Sequence, residues 1–130
     1  MRSETVTTIV PAPRTAVFEY MSDIAKLQEW ATEFARELKR EDGDYKVVNS
    51  LGEFYVEIKA DPATGVIDMY AGPTETELAL FPTRVVALPA GGSAFSFTMF
   101  QGAEMPDELF ESQYQSLLRE FENIERQFGR

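Results

Sequence analysis

Residues 106–128 read PDELFESQYQSLLREFENIERQF, and their apolar positions repeat with the period of an α-helix. The apolar stripe consists of Phe110, Tyr114, Leu117, Phe121, Ile124 and Phe128, spaced by four, three, four, three and four residues. Because positions three and four apart share one face of a helix, the pattern predicts about five turns of amphipathic helix. Pro106 and the acidic residues after it suit the start of that helix, where negative charge meets the positive end of the helix dipole.

Upstream of this helix, polar and apolar residues alternate as they do in β-strands. We predict strands over residues 5–10, 34–41, 45–51, 54–59, 66–70, 75–88 and 95–100. Asp42-Gly43 is the strongest hairpin signal, and Gly72-Pro73 is read as the start of another turn. Pro82 inside a strand predicts a sheet edge or a bulge.

Two short helices are predicted between the first two strands. Pro13 suits the first turn of one helix, and Ser22 is read as the N-cap of a second helix over residues 23–29. Strands grouped together, with helices at the ends, indicate the α+β class. We therefore expect a single domain over residues 1–130. A curved antiparallel sheet of about seven strands wraps around the long C-terminal helix and leaves a cavity between them.

The composition excludes several classes of function. Twelve Lys and Arg against 22 Asp and Glu give a net charge of −10, which disfavours nucleic acids and anionic membranes as partners. The chain has no His and no Cys, so the usual general base and the thiolate nucleophile are missing. Residues 1–10 lack the apolar core of a secretion signal. We expect a cytoplasmic protein without membrane insertion, metal or cofactor.

Several short motifs along the chain resemble those of a known superfamily. Residues 5–13, followed by Ala16-Val17-Phe18 and then Trp30, resemble the N-terminal motif of that superfamily. One bacterial branch has motifs that resemble residues 65–68, 82–86, 97–100 and 105–107. The whole chain thus resembles the START-like, polyketide cyclase/dehydrase and plant-allergen-like superfamily, often called SRPBCC. The resemblance implies a helix-grip fold, but this fold hosts many functions. Met69 departs from the pattern, because that branch often has His there.

The candidate ligand-binding residues are Trp30, Tyr55, Asp68, Arg84, Phe97, Met99, Phe110, Gln113, Tyr114 and Leu117. We expect Asp68 and Arg84 to lie diagonally across a hairpin and to orient a ligand in the cavity, because Arg binds carboxylate and carbonyl groups well. The alternative is a solvated cross-strand pair worth about 0–1 kcal/mol. Trp30 and Tyr114 are expected either to touch the ligand or to pack in the core. The remaining apolar candidates are core residues that would also form the cavity wall.

Three functional hypotheses remain open. The first is binding or transport of a small hydrophobic ligand, either a lipid or a polyketide-like molecule. The second is a polyketide cyclase or dehydratase that uses Asp68, Arg84 or Tyr114, which the absence of His disfavours. The third is a homodimeric interaction module without a ligand. Any strand residue that points outward must leave the candidate set, since a register shift of one residue moves a side chain to the other face.

Overall fold

An antiparallel sheet of seven strands forms most of the molecule, and the computed structural model describes residues 1–129. The strands are β1 (Ser3–Val10), β2 (Glu37–Glu41), β3 (Asp44–Asn49), β4 (Gly52–Asp61), β5 (Val66–Thr74), β6 (Glu77–Ala87) and β7 (Ser93–Phe100). Their order across the sheet is β1-β7-β6-β5-β4-β3-β2, so strands two to seven form a meander and β1 pairs with the last of them.

The helices are α1 (Arg14–Ser22), α2 (Leu27–Trp30) and α3 (Asp107–Gln127), and a 3₁₀ turn (Ile24–Lys26) joins the first two. The stripe that predicted α3 packs on the sheet. Phe110 and Ile124 are fully buried, and the Phe121 ring lies with its centroid 5.7 Å from that of Phe95 on β7. The predicted α+β class and helix-grip fold are confirmed.

The strand pleat sends alternate side chains to opposite faces of the sheet. On β5 and β6 the buried side chains are Ile67, Met69, Thr83 and Val85, which lie on the side of the sheet covered by the helices and form the inner face. The residues between them therefore face away from the helix. The molecule thus has a covered inner face and an outer face open to solvent.

The predicted Asp42-Gly43 hairpin is confirmed. Both residues have positive φ angles, 52° and 85°, as a two-residue type I′ turn requires. The strand after the short helices begins at Glu37 and not at residue 34. One reason is that the backbone N–H of Phe34 donates to a side chain of α3 and not to a neighbouring strand.

The predicted N-cap at Ser22 is wrong. Helix α1 continues through Ser22, and its hydroxyl donates back to the Phe18 carbonyl at 2.6 Å. Asp23 caps the next element instead, because its Oδ1 accepts from the Ala25 backbone N–H at 3.0 Å. The second predicted helix is therefore a 3₁₀ turn followed by one turn of α-helix.

The predicted turn at Gly72-Pro73 is also wrong, because both residues lie within β5. The chain reverses between Thr74 and Glu77, and the pairing register shifts between Ala71 and Thr74. Gly72 passes so close to the next strand that a Cβ atom there would lie 1.8 Å from the Glu77 carbonyl oxygen. The glycine therefore allows the backbones of β5 and β6 to approach closely beside the register shift.

Pro82 lies on neither an edge strand nor a bulge, which corrects the prediction for it. Strand β6 stands between β5 and β7, and Pro82 is in register with Asp68. However, β7 pairs with β6 only from Thr83 onward. The proline thus lies just beyond the end of the β6–β7 ladder, where no backbone hydrogen bond to β7 is lost because of its missing N–H.

Candidate functional site

A cavity of about 270 Å³ lies between α3 and the inner face of the sheet. Its walls come from α2 and the segment after it, the β3–β4 turn, the middle strands and one flank of α3. The buried apolar residues that line it are Leu27, Trp30, Ala31, Val56, Met69, Met99 and Leu117. The cavity therefore has a floor of large, mostly flexible apolar side chains.

Helix α3 presents a second stripe to the cavity, beside the stripe that packs in the core. Gln113, Ser116, Leu117 and Glu120 all line the cavity. They are spaced by three, one and three residues, which places them on one side of a helix. Three of the four are polar, so the helix supplies hydrogen-bonding groups opposite the mostly apolar sheet side of the cavity.

Glu120 is a buried acid on this stripe, with only 4% of its surface exposed. Its Oε2 atom accepts hydrogen bonds from the backbone N–H groups of Glu33 and Phe34, each at 3.1 Å. No hydrogen bond joins its Oε1 atom to residues 1–129, and this atom is not sealed from the cavity or solvent. Burial raises the pKa of Glu120 to about 7, although the two backbone donors oppose the rise. Near neutral pH the cavity therefore holds a group that exchanges a proton.

Trp30 closes the same wall of the cavity and is 2% exposed. Its ring stands edge-to-face with those of Phe95 and Phe97, with centroids 6.5 Å away in both cases. The indole Nε1–H is enclosed and has no acceptor among the described residues. Buried polar groups normally find a partner, so this donor requires an explanation.

Charged contacts fix the segment after α2 to α3. Arg119 donates to both carboxylate oxygens of Glu33, at 2.9 and 2.7 Å, and the Ser116 hydroxyl donates to Glu33 at 2.9 Å. The Arg119 guanidinium lowers the pKa of Glu33. Asn123 adds a hydrogen bond from Nδ2 to the Trp30 carbonyl at 3.0 Å. The wall that carries Trp30 is therefore held in place by the helix opposite it.

The structure brings five of the ten candidate residues to this cavity: Trp30, Phe97, Met99, Gln113 and Leu117. Phe110 does not line it, because this side chain is fully buried in the core with the Arg2 guanidinium 4.9 Å from its ring centroid. Tyr114 is half-buried against the core and is not a lining residue either. The rings of Phe110 and Tyr114 therefore pack in or against the core and do not line the cavity.

The expectation that Asp68 and Arg84 lie in the cavity is wrong. Their predicted register is confirmed, because Asp68 pairs with Pro82 and Val66 pairs with Arg84. However, their chain neighbours Ile67 and Val85 are the buried ones, so both charged side chains face outward. Within the described chain no ion pair joins them.

Tyr55 also lies on the outer face. It is in register with Lys46, whose Nζ is 4.6 Å from the centroid of its ring. It borders a separate open depression and not the cavity against α3. The physical reason is the pleat, since Val56 beside it takes the inward position.

Glu120 is the functional candidate that sequence reasoning missed. It lies three residues after Leu117 and four before Ile124, so helical spacing places it beside the buried stripe. That spacing was the available signal. Elsewhere in residues 1–129, no three acidic side chains come together as a metal site, and no helix is long and apolar enough to span a bilayer.

Solved structures with the same architecture define the fold class. The structure of Ara h 8.0201 has a TM-score of 0.64 at 19% identity, with 98% of this chain and 97% of that chain covered. The di-domain ARO/CYC protein BexL from the BE-7585A biosynthetic pathway has a TM-score of 0.73 at 11% identity, covering 97% of this chain and 46% of BexL. The Aha1 dimer from Colwellia psychrerythraea has a TM-score of 0.71 at 10% identity, covering 98% and 96%.

The chain therefore has the helix-grip fold that these solved structures share. At these identities the likeness concerns the fold alone. No protein-family model and no curated protein matches the sequence.

Proposed function

We propose that this protein binds a small, mostly apolar molecule in the cavity between α3 and the sheet. The observation that carries the proposal is the cavity itself, about 270 Å³ in volume and floored by Trp30, Met69 and Met99. Small-molecule sites are concave, mainly apolar and furnished with a few polar groups, and they occupy roughly 300–1,000 Å³. At about 270 Å³ the cavity lies just below that range, which favours a compact ligand.

The side chains of the floor suit a ligand of variable shape. Met has an unbranched, polarizable side chain that adapts to irregular surfaces, and aromatic rings supply a large apolar contact area. Polar residues line the cavity from α3 (Gln113, Ser116 and Glu120) and from the segment after α2 and the β3–β4 turn, whereas the sheet side is mostly apolar. The ligand's apolar body would therefore lie on the sheet, with its polar end toward the helix.

The cyclase or dehydratase hypothesis gains no support from its proposed residues. BexL, a protein of this fold, is an ARO/CYC protein, but Asp68 and Arg84 of this chain lie on the outer face. The homodimer also stays a prediction. Aha1 from Colwellia psychrerythraea forms a dimer, and light scattering of this protein in solution would reveal whether it does the same.

Fluorescence titration tests the binding proposal, because Trp30 is the only Trp and lines the cavity. With a panel of short lipids and aromatic polyketides, we expect at least one saturable change in its emission. Ala71→Phe should weaken that binding at least about tenfold, since Ala71 lines the cavity and the added ring would fill it.

Ala94→Phe is the matched control for this experiment. Ala94 is also a strand alanine, but it pairs with the exposed Ile9 and Val86 on the outer face. It should leave the affinity unchanged. A panel without any binder, or equal binding by the Ala71→Phe variant, would show that the cavity is not a ligand site.

A further inference from the structure

We propose that two copies of this chain associate through the outer face of strands β1, β7 and β6, packed face to face around a two-fold axis. The proposal goes beyond the cavity and does not depend on ligand binding there. It rests on the scarcity of charge on this face, on the exposed apolar side chains grouped there, and on two opposite charges beside them that form no ion pair.

The outer face of these three strands carries almost no charge. The pairing register and the strand pleat place the following residues on it, here called the β1–β7–β6 patch: Ser3, Thr5, Thr7, Ile9, Leu80, Pro82, Arg84, Val86, Ala94, Ser96, Thr98 and Phe100. Arg84 is the only charged residue of the patch. The outer face of β2, β3 and β4 instead carries Glu37, Lys39, Glu41, Asp44, Lys46, Glu53, Glu57, Lys59 and Asp61. Depletion of charge is typical of the centre of a protein interface.

Exposed apolar side chains are grouped on the same patch. Six large apolar side chains are exposed in residues 1–129, and four of them belong to the patch. These four are Ile9, Leu80, Val86 and Phe100, which are between 38% and 56% exposed. The register aligns Ile9, Ala94 and Val86 side by side across the three strands. Scattered exposed apolar residues are normal, but a group of them on one face indicates an association surface.

The charges beside the apolar residues favour a second copy as the partner. Arg84 on β6 and Asp68 on β5 lie diagonally across two paired strands, because Arg84 pairs with Val66 and Asp68 pairs with Pro82. Neither takes part in an ion pair within the described chain. A two-fold axis in the interface plane, at right angles to the line between them, exchanges their positions. Arg84 of each copy then comes opposite the partner's Asp68, which gives two reciprocal ion pairs.

The net charge of −10 also restricts where two copies can meet. Molecules of like charge repel each other, and the repulsion is smallest where the surfaces in contact carry no acidic residues. The β1–β7–β6 patch has no acidic residue, whereas acids are spread over the outer face of β2, β3 and β4. Of the two halves of the outer face, the patch is therefore the one that allows self-association.

The size of the patch indicates a weak dimer. Strands β1 and β7 each have 8 residues. Four neighbouring strands of this length, β5 included, cover about 500 Å² of sheet. Two such faces bury about 1,000 Å² in total, which is near the lower limit for a specific interface. We therefore expect a dimer that dissociates on dilution.

Analytical ultracentrifugation of the full chain at about 10–500 µM tests the proposal. The average mass should rise with concentration from the monomer value of 14.7 kDa toward twice that value. Arg84→Asp should raise the dissociation constant of the dimer at least about tenfold, because acids then face each other at two symmetric places. Asp68→Arg should weaken the dimer to a similar extent, because it brings arginines together.

Exchange of the two charges distinguishes the proposed pairing from a loss of folding. The double variant Arg84→Asp/Asp68→Arg rebuilds both ion pairs in the opposite sense, so its dissociation constant should return to within about threefold of the wild type. Arg40→Asp is the matched control, since Arg40 is an exposed arginine on β2 at the opposite edge of the sheet. The same change of charge there should alter the dissociation constant less than about twofold.

The outcomes separate this proposal from ligand binding in the cavity. A mass of one chain at every concentration would overturn the dimer, and so would a dimer that neither single variant weakens, because the copies would then meet elsewhere. Failure of the double variant to restore association would show that Arg84 and Asp68 do not face each other. None of these results bears on the cavity, which the fluorescence titration tests.

Discussion

Glu120 shows how one buried side chain links protonation to folding. Its carboxyl group is 4% exposed, and burial raises its pKa from 4.5 to about 7 in the folded chain. Because the folded state holds the proton more tightly than the unfolded state, the native structure is favoured while the group stays protonated. That contribution is fully present below about pH 4.5 and is lost as the pH rises through about 7.

Glu120→Gln should therefore change the pH dependence of stability. The variant lacks the ionisable group. Between about pH 5 and about pH 8, the free energy of unfolding of the wild-type protein should therefore fall relative to that of the variant. The shift of Glu120 corresponds to a relative loss of about 3 kcal/mol at most. Urea unfolding across this pH range measures it.

Glu122→Gln provides the control for this stability experiment. Glu122 is an exposed acid on the same helix, so its removal should leave the pH profile of the wild-type protein unchanged. A gap between wild type and Glu120→Gln that stays constant with pH would show that Glu120 titrates normally in the folded protein.

At the scale of elements, the β5–β6 hairpin shows where local sequence signals mislead. Gly72-Pro73 has turn-forming residues, yet both lie in β5 and the chain reverses a few residues later. The glycine is needed because the Glu77 carbonyl approaches its backbone too closely for a side chain. This requirement depends on the neighbouring strand, which local turn propensity does not describe.

Gly72→Ala should destabilise the protein by about 1–3 kcal/mol, because its Cβ would collide with backbone atoms of β6. Gly102→Ala is the matched control, since open space surrounds that glycine and its φ angle is not in the left-handed region. Its stability should stay within about 0.5 kcal/mol of the wild type. Thermal or urea unfolding measures the stability of both variants. Equal stability of the two would show that the Glu77 carbonyl does not lie this close to Gly72.

At the scale of the whole molecule, the sequence predicted the fold because its strongest patterns agree with each other. The stripe of α3 and the alternation of the strands each require a partner surface, and together they define the helix-grip arrangement. The site was less predictable. Alternation already placed Asp68 between two inward apolar residues, Ile67 and Met69, so its assignment to the cavity conflicted with the strand pattern.

The cavity and its buried acid were beyond sequence patterns for a different reason. The space left between a sheet and a helix depends on how all the side chains fill it, which no single periodicity reports. Phe110 and Tyr114 belong to the predicted stripe, yet neither lines the cavity, whereas the neighbouring residues Gln113 and Glu120 do. On α3, the residues that line the cavity are thus displaced by about one position around the helix from those that pack in the core.

Nuclear magnetic resonance of the uniformly labelled protein, titrated with the tightest ligand of the fluorescence panel, tests most directly whether the cavity is the ligand site. The single indole N–H signal, from Trp30, should shift saturably together with the methyl signals of Met69 and Met99. The methyl signals of Ile9 and Val86 on the outer face should stay unchanged. An unchanged Trp30 signal at a saturating concentration of that ligand, or shifts confined to the outer face, would contradict binding in the cavity.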